Sequence, residues 1–305
     1  MKPDVSLVWI RIALALALFL GGCASTLMPV STPSSTPVAA ATDPAHDLRE
    51  EVLRIRIADA PAVDLETTLY RPAGSGPFPL VIFNHGKSPG DPHQQPRTRF
   101  IWAAREFVSR GYAVALPMRQ GFAGSGGRYP AVGCDIAANG LASAQDVRAT
   151  IAYFERRTDI DARRVVLVGQ SAGGLVALAA ASQNIPQVVG VVNFAGGLRQ
   201  DRCPDWQGTL AAAAAHYART TQIPSLWFYG DNDATFAAPV WHEMHARYVA
   251  AGGDAQLVAF GSFGKDAHAL FGARGGARVW EPEVERFFTS KLGLPFGSRA
   301  EWAND

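Results

Sequence analysis

The sequence predicts an α/β domain with a mostly parallel central sheet and helices on both faces. Three observations carry this. Short, continuous apolar runs such as Val165 to Val168 read as strands buried on both sides. They alternate with longer segments whose apolar residues recur at helical spacing. The residues capable of chemistry stand just after the runs, and in a parallel sheet the carboxyl ends of the strands are where reactive groups gather.

The elements follow in order. Glu51 to Ile57 and Asp64 to Tyr70 alternate charged and apolar residues, which predicts two half-exposed antiparallel strands joined by a turn at Asp59-Ala60-Pro61. Leu80 to Phe83 is the first fully apolar strand and ends in Asn84-His85-Gly86-Lys87. Phe100 to Val108 has helical spacing, with Gly111 as a stop signal. Ala113 to Leu116 is strand-like and Leu141 to Phe154 helical. After the Val165 strand, Gly174 to Ala181 reads as a packed helix of small residues. Val188 to Phe194 is another buried strand, followed by an alanine-rich helix near Leu210 to Ala218. Pro224 to Tyr229 is a strand ending in Gly230-Asp231-Asn232-Asp233. A helix over Pro239 to Ala251, a strand over Gln256 to Phe260 and a last helix near Arg278 to Leu292 complete the domain.

The ends carry different information. Lys2 and Arg11 supply positive charge ahead of an apolar run, Ile12 to Leu20, too short to span a bilayer but suited to a signal-peptide core. Leu20-Gly21-Gly22-Cys23-Ala24 resembles the bacterial lipobox, which implies a signal peptide over 1–22 and lipidation of Cys23. More than one acyl chain gives durable attachment. By the same resemblance, Ala24 rather than Asp favours the outer membrane. The alternative is ordinary secretory cleavage near Ala24. Residues 23–47 are rich in Ser, Thr, Pro and Ala and read as a tether, leaving 48–305 as one domain of roughly 250 residues. A formal net charge of +1 without a basic cluster argues against nucleic acid. Cys134 and Cys203 lie in expected loops; in an export compartment they either pair or remain two free thiols.

The centre of the chain is Gly169-Gln170-Ser171-Ala172-Gly173, a G-x-S-x-G between strand and helix. A strand that reverses sharply into a helix leaves one residue exposed at its tip. Glycines two positions either side, Gly169 and Gly173, avoid collisions between Cβ atoms and the neighbouring strand or helix. In a chain with 30 glycines the pentapeptide decides little by itself. The order Ser171, Asp233, His268, each placed after a strand, decides more. With His85-Gly86, the stretch Arg119-Gln-Gly-Phe-Ala-Gly-Ser125 and Gly230-x-x-Asp233, it resembles the α/β-hydrolases over essentially the whole domain. Within them it is most similar to dienelactone-hydrolase-like and small esterase or peptidase members. Typical dienelactone hydrolases carry a cysteine nucleophile where this chain has Ser171, which favours ordinary ester chemistry.

The resemblance implies a nucleophile at Ser171, a base at His268 and an acid at Asp233. A serine hydroxyl needs such a base within reach and a carboxylate to orient it. Asp231 and Asp266 are rival acids; Asp231 is the better candidate for capping the turn. The backbone N–H groups of Ala172 and, by the His-Gly-x likeness, Lys87 are the expected oxyanion donors, with the Lys87 side chain read as a solvated charge. His85 shapes the oxyanion turn. His242 and His245 are three apart, unlike a metal-binding H-E-x-x-H, and read as a solvated helix face; no metal or cofactor is expected. Arg97, Arg99, Arg119 and Arg128 are candidates to pair a substrate carboxylate. With no long insertion between Val188 and Pro224, the site is expected to be open. The leading expectation is a serine esterase for small to medium acyl substrates. A peptidase or acyltransferase on the same triad, or a non-catalytic envelope binding lipoprotein, is the alternative.

Overall fold

Side chains in a strand point alternately to opposite faces, so a fully apolar run supplies two cores at once. Leu80 and Ile82, Val165 and Leu167 enter one core; Val81 and Phe83, Val166 and Val168 enter the other. The computed structural model describes residues 48–57, 63–130 and 132–298. Cys23, the expected signal peptide and tether, and the turn at Asp59-Ala60-Pro61 lie outside them.

Eight strands form one sheet in the order β1-β2-β4-β3-β5-β6-β7-β8. They are β1 (Glu51–Ile57), β2 (Val63–Tyr70), β3 (Phe78–Asn84), β4 (Ala113–Pro117), β5 (Ile160–Gln170), β6 (Val188–Phe194), β7 (Ser225–Tyr229) and β8 (Ala255–Ala259). β1 and β2 are antiparallel, β2 runs antiparallel to β4, and the rest of the ladder is parallel. The helices are α1 (Ile101–Ser109), α2 (Ile136–Phe154), α3 (Ala172–Ala181), α4 (Trp206–Ala218), α5 (Ala238–Ala250) and α6 (Ala277–Arg286). α2, α3, α4 and α5 contribute to one core, α1 and α6 to the other. This is the α/β-hydrolase architecture that the sequence predicts. Among the described residues no helix is long and apolar enough to cross a membrane.

Several expected elements differ in extent or burial. β2 is buried rather than half-exposed over most of its length, because it is an interior strand between β1 and β4 and its side chains enter both cores, Leu65 and Leu69 one and Tyr70 the other. α2 begins at Ile136, not Leu141: the Asp135 carboxylate accepts from the Ala138 N–H at 2.9 Å and starts the helix a turn earlier. Asn139 and Gly140 interrupt the apolar spacing there, yet both face inward, and a Cβ on Gly140 would overlap the Tyr217 hydroxyl. α4 likewise begins at Trp206, behind the cap Asp205. β5 starts at Ile160, before the charged Arg163-Arg164 pair, since its first residues pair with Phe78 and Pro79. α6 ends at Arg286 and continues as a π-helical turn, Phe287–Lys291.

Candidate active site

The elbow is built by steric exclusion. Ser171 has φ 56° and ψ −126°, a left-handed-side conformation that a non-glycine residue adopts only when its surroundings impose it. A Cβ on Gly169 would overlap the Gly173 carbonyl in the first turn of α3, and one on Gly173 would overlap the Asn84 carbonyl at the end of β3. The strand and helix therefore close to backbone contact, which leaves Ser171 at the tip. Its own N–H donates to the Phe194 carbonyl at 3.0 Å, and its carbonyl accepts from Gly174 and Gly197 at 2.9 and 3.0 Å. Every backbone group of the nucleophile candidate is thereby tied to β6 or α3.

Asp233 and His268 come together from the turns after β7 and β8. The Asp233 Oδ2 and His268 Nδ1 are 3.0 Å apart, with the carboxylate buried and the imidazole 17% exposed. The other carboxylate oxygen of Asp233 accepts from the N–H groups of Thr235 and Phe236, both at 2.8 Å. An acceptor so anchored cannot swing away from the imidazole. Asp266 does a different job: its Oδ1 accepts from the His268 and Ala234 N–H groups at 2.9 and 3.0 Å, joining the two loops. Asp231 is exposed, and its N–H donates to the Gly261 carbonyl at 2.8 Å. The Gln170 amide donates to the His268 carbonyl at 3.0 Å, linking the histidine turn to the elbow.

The turn after β3 is held by a residue that the sequence points to another role. Arg119 is buried; its guanidinium donates to the His85 carbonyl and, at 3.2 Å, to the Gly86 carbonyl. The Arg119 N–H donates to His85 Nε2 at 3.0 Å, so the ring proton lies on Nδ1, which donates to the Gly86 carbonyl at 2.7 Å. Burial first, and then the Arg119 charge, hold the His85 pKa well below the usual imidazole value, so the ring is neutral. Burial also brings Arg119 itself down to about 10. Two donors thus grip the carbonyl of the Gly86–Lys87 peptide. In a planar trans peptide the N–H points opposite to the C=O, so the Lys87 N–H is turned away from the buried guanidinium. A Cβ on Gly86 would lie 3.2 Å from the Ser171 Cβ, which shows how closely this peptide approaches the elbow. Among the described residues, neither the Lys87 nor the Ala172 N–H donates to another group.

These parts share a cleft of about 980 Å³ lined by Gly86, Lys87, Gln170, Ser171, Ala172 and His268. Its outer wall comes from Tyr129, Pro130, Val132 and Gly133 and from Gly197 to Arg202. A disulfide joins Cys134 to Cys203 with Cα atoms 5.7 Å apart, just before the caps of α2 and α4, and so couples the two outer segments. The segment after β6 supplies a loop and α4, with no separate lid domain among the described residues.

Other sequence candidates are placed elsewhere. Arg97 and Arg99 both pair with Glu50, and Arg119 lies beneath the floor, so these three are not free for a ligand; Arg128 is exposed and outside the cleft lining. Lys87 is half-buried rather than solvated. His242 is exposed, but His245 is packed edge-on to Trp227 and lies 3.1 Å from the Ala255 carbonyl. Among the described residues no His, Cys, Asp and Glu group is arranged to hold a metal ion.

Sheet order, elbow and strand-end loops define the class: this is an α/β-hydrolase. A family model of X-Pro dipeptidyl-peptidases, the S15 family, matches residues 59–221, and the chain belongs to that family. Among solved structures, an esterase of Pyrococcus furiosus matches with TM-score 0.58 at 17% identity, over 84% of this chain and 96% of its own. The acylaminoacyl peptidase of Pyrococcus horikoshii has TM-score 0.60 at 13% identity, over 84% of this chain but 43% of that one. A putative dienelactone hydrolase of Klebsiella pneumoniae has TM-score 0.55 at 18% identity, over 77% of this chain and 97% of its own. Likenesses at these identities speak for the fold.

Proposed function

We propose that the protein is a serine carboxylic-ester hydrolase working through an acyl-enzyme, with Ser171 as nucleophile, His268 as base and Asp233 as the orienting acid. The observation that carries the reading is the Asp233–His268 pair at 3.0 Å beside a serine held at positive φ in the same cleft. Asp233 holds the imidazole through Nδ1, which leaves Nε2 to take the Ser171 proton as Oγ attacks the carbonyl carbon. The N–H groups of Ala172 and Lys87 receive the oxyanion. His268 then returns the proton to the departing alkoxide, and a water molecule, deprotonated by the same nitrogen, releases the acid from Ser171.

The family description and the acylaminoacyl peptidase likeness favour a second reading, a peptidase on the same residues. The test treats the mature protein with a serine-directed fluorophosphonate beside Ser171→Ala and assays p-nitrophenyl esters against aminoacyl anilides. Labelling and ester turnover that vanish in Ser171→Ala, by at least about 10³-fold, are expected. Anilide turnover exceeding ester turnover would establish the peptidase instead, and a wild type inert to all reagents would leave the binding-lipoprotein reading. Anchoring through a lipidated Cys23 belongs to the same proposal. A disulfide, which persists in oxidising compartments, is consistent with export.

A further inference from the structure

The reaction above uses the backbone of Lys87 and leaves its ammonium without a task. The Lys87 Nζ stands 5.7 Å from the centroid of the Tyr129 ring and donates to the Ser88 carbonyl at 3.3 Å. Among the described residues it makes no ion pair. Other half-buried cations of this domain do: Arg97 and Arg99 share Glu50, and Arg157 meets Asp159 at 2.8 Å. Burial, together with repulsion from Arg119, lowers the Lys87 pKa from its usual value. Arg119 offers no relief: its guanidinium bonds to carbonyls and faces Phe122 at 5.0 Å, and the buried carboxylate that acts on its charge, Asp146, is bonded to Gln120 rather than to either cation.

The cleft around this pair of like charges contains little to balance them. Asp201 is the one carboxylate among its lining residues, and it is engaged by Arg199 at 2.7 Å. Arg202 lines the same wall and adds a further cation. A partly desolvated ammonium with a like charge behind it and no counter-ion is an anion site waiting for its ligand. Tyr129 closes one side of it, which orders the long side chain through the ring face.

We propose that the Lys87 ammonium, seated on Tyr129, is the subsite for a free carboxylate borne by the substrate, so that the preferred esters are half-esters of short diacids or hydroxy acids acylated on their hydroxyl. The inference rests on the esterase reading and deepens it. The spacing follows from the residue itself: with its N–H toward the oxyanion and its Nζ toward the carboxylate, the two donors lie at most one lysine side chain apart. A four- or five-carbon diacid spans that distance. The same charges work against a substrate whose free ammonium must enter the cleft.

The experiment separates binding from turnover. Binding of monomethyl glutarate and dimethyl glutarate to the Ser171→Ala protein is measured by calorimetry, which needs no hydrolysis. The mono-acid is expected to bind about 10-fold more tightly, as a charge-assisted hydrogen bond at a partly exposed site allows, and Lys87→Met in the same background is expected to abolish the difference. On the active enzyme, kcat/KM is compared for 4-nitrophenyl hydrogen glutarate against its methyl ester, and for 4-acetoxybenzoate against methyl 4-acetoxybenzoate. The pair that shows the preference tells which side of the scissile bond carries the charge. Because Lys87 also supplies an oxyanion amide, the readout is the ratio within each pair, where a loss common to both members cancels. Equal binding of the two glutarates, or a preference that survives in Lys87→Met, overturns the subsite. Tight, Lys87-dependent glutarate binding with no turnover of any ester would instead keep the subsite and sink the esterase reading.

Discussion

The inner wall of the cleft, made by the turns after β3, β5, β7 and β8, and the outer wall, made by Tyr129, Pro130, Val132, Gly133 and Gly197 to Arg202, are held by different forces. The inner wall is set by contact: backbone touching backbone at Gly169 and Gly173, and buried donors holding the Gly86 carbonyl and the Asp233 carboxylate. The outer wall consists largely of loop residues, several of them exposed, fastened to each other by the Cys134–Cys203 bond and bearing the cleft's arginines. The contrast teaches that the reacting groups rest on the inner wall, whereas the proposed carboxylate subsite bridges the two: the Lys87 backbone belongs to the inner wall and its ammonium is seated on Tyr129 of the outer. Turnover should respond to the first wall, and substrate choice to Lys87 and the second.

The largest expected effect lies within the inner wall. Asp233→Asn should reduce kcat by about 10⁴-fold, the scale for losing the carboxylate that orients a catalytic histidine, with folding retained by circular dichroism. Asp231→Asn should leave kcat within a few fold, and the opposite ranking would reassign the acid. Next comes the floor. Arg119→Met should lower kcat by about 10- to 100-fold, less than the 10²–10³ for deleting an oxyanion donor outright, because the amide stays in place but is no longer aimed. KM should hold, and Arg119→Lys should recover part of the loss; a drop in melting temperature with kcat unchanged would make Arg119 a structural residue only. The smallest effect belongs to the outer wall. The double variant Cys134→Ser/Cys203→Ser should raise KM a few fold with kcat within about twofold, and lose at most about 4 kcal/mol of stability for a loop of this length. If its kcat falls as far as that of Arg119→Met, the two walls are not independent.

What could be read from the sequence follows the same division. The strands under the site were readable because a buried parallel strand is a continuous apolar run, and Val188 to Phe194 matches β6 end for end. The elbow was readable because its steric demands appear as two glycines at fixed spacing. Arg119 was not, because an arginine in a loop usually faces solvent, and its burial depends on carbonyls of a turn over thirty residues away. Nor was the start of α2, where the inward-facing residues after Ile136 are Asn139 and Gly140 and no apolar rhythm announces the helix. Burial of β2 was hidden for a similar reason: alternation reports one covered face, whereas the second face is also covered there, over Thr68 and Tyr70.

The carboxylate of Asp266 bonds the backbone of the acid loop at Ala234 and that of the histidine loop at His268 through one oxygen. Two loops that leave different strands are therefore clipped together at two backbone positions besides the Asp233–His268 contact itself. The orienting pair is held by three hydrogen bonds rather than by one. On the proposed mechanism, the adjustment left to each turnover is the approach of the imidazole edge to the Ser171 hydroxyl. The arrangement that an unlinked pair would have to find each time is set once, during folding.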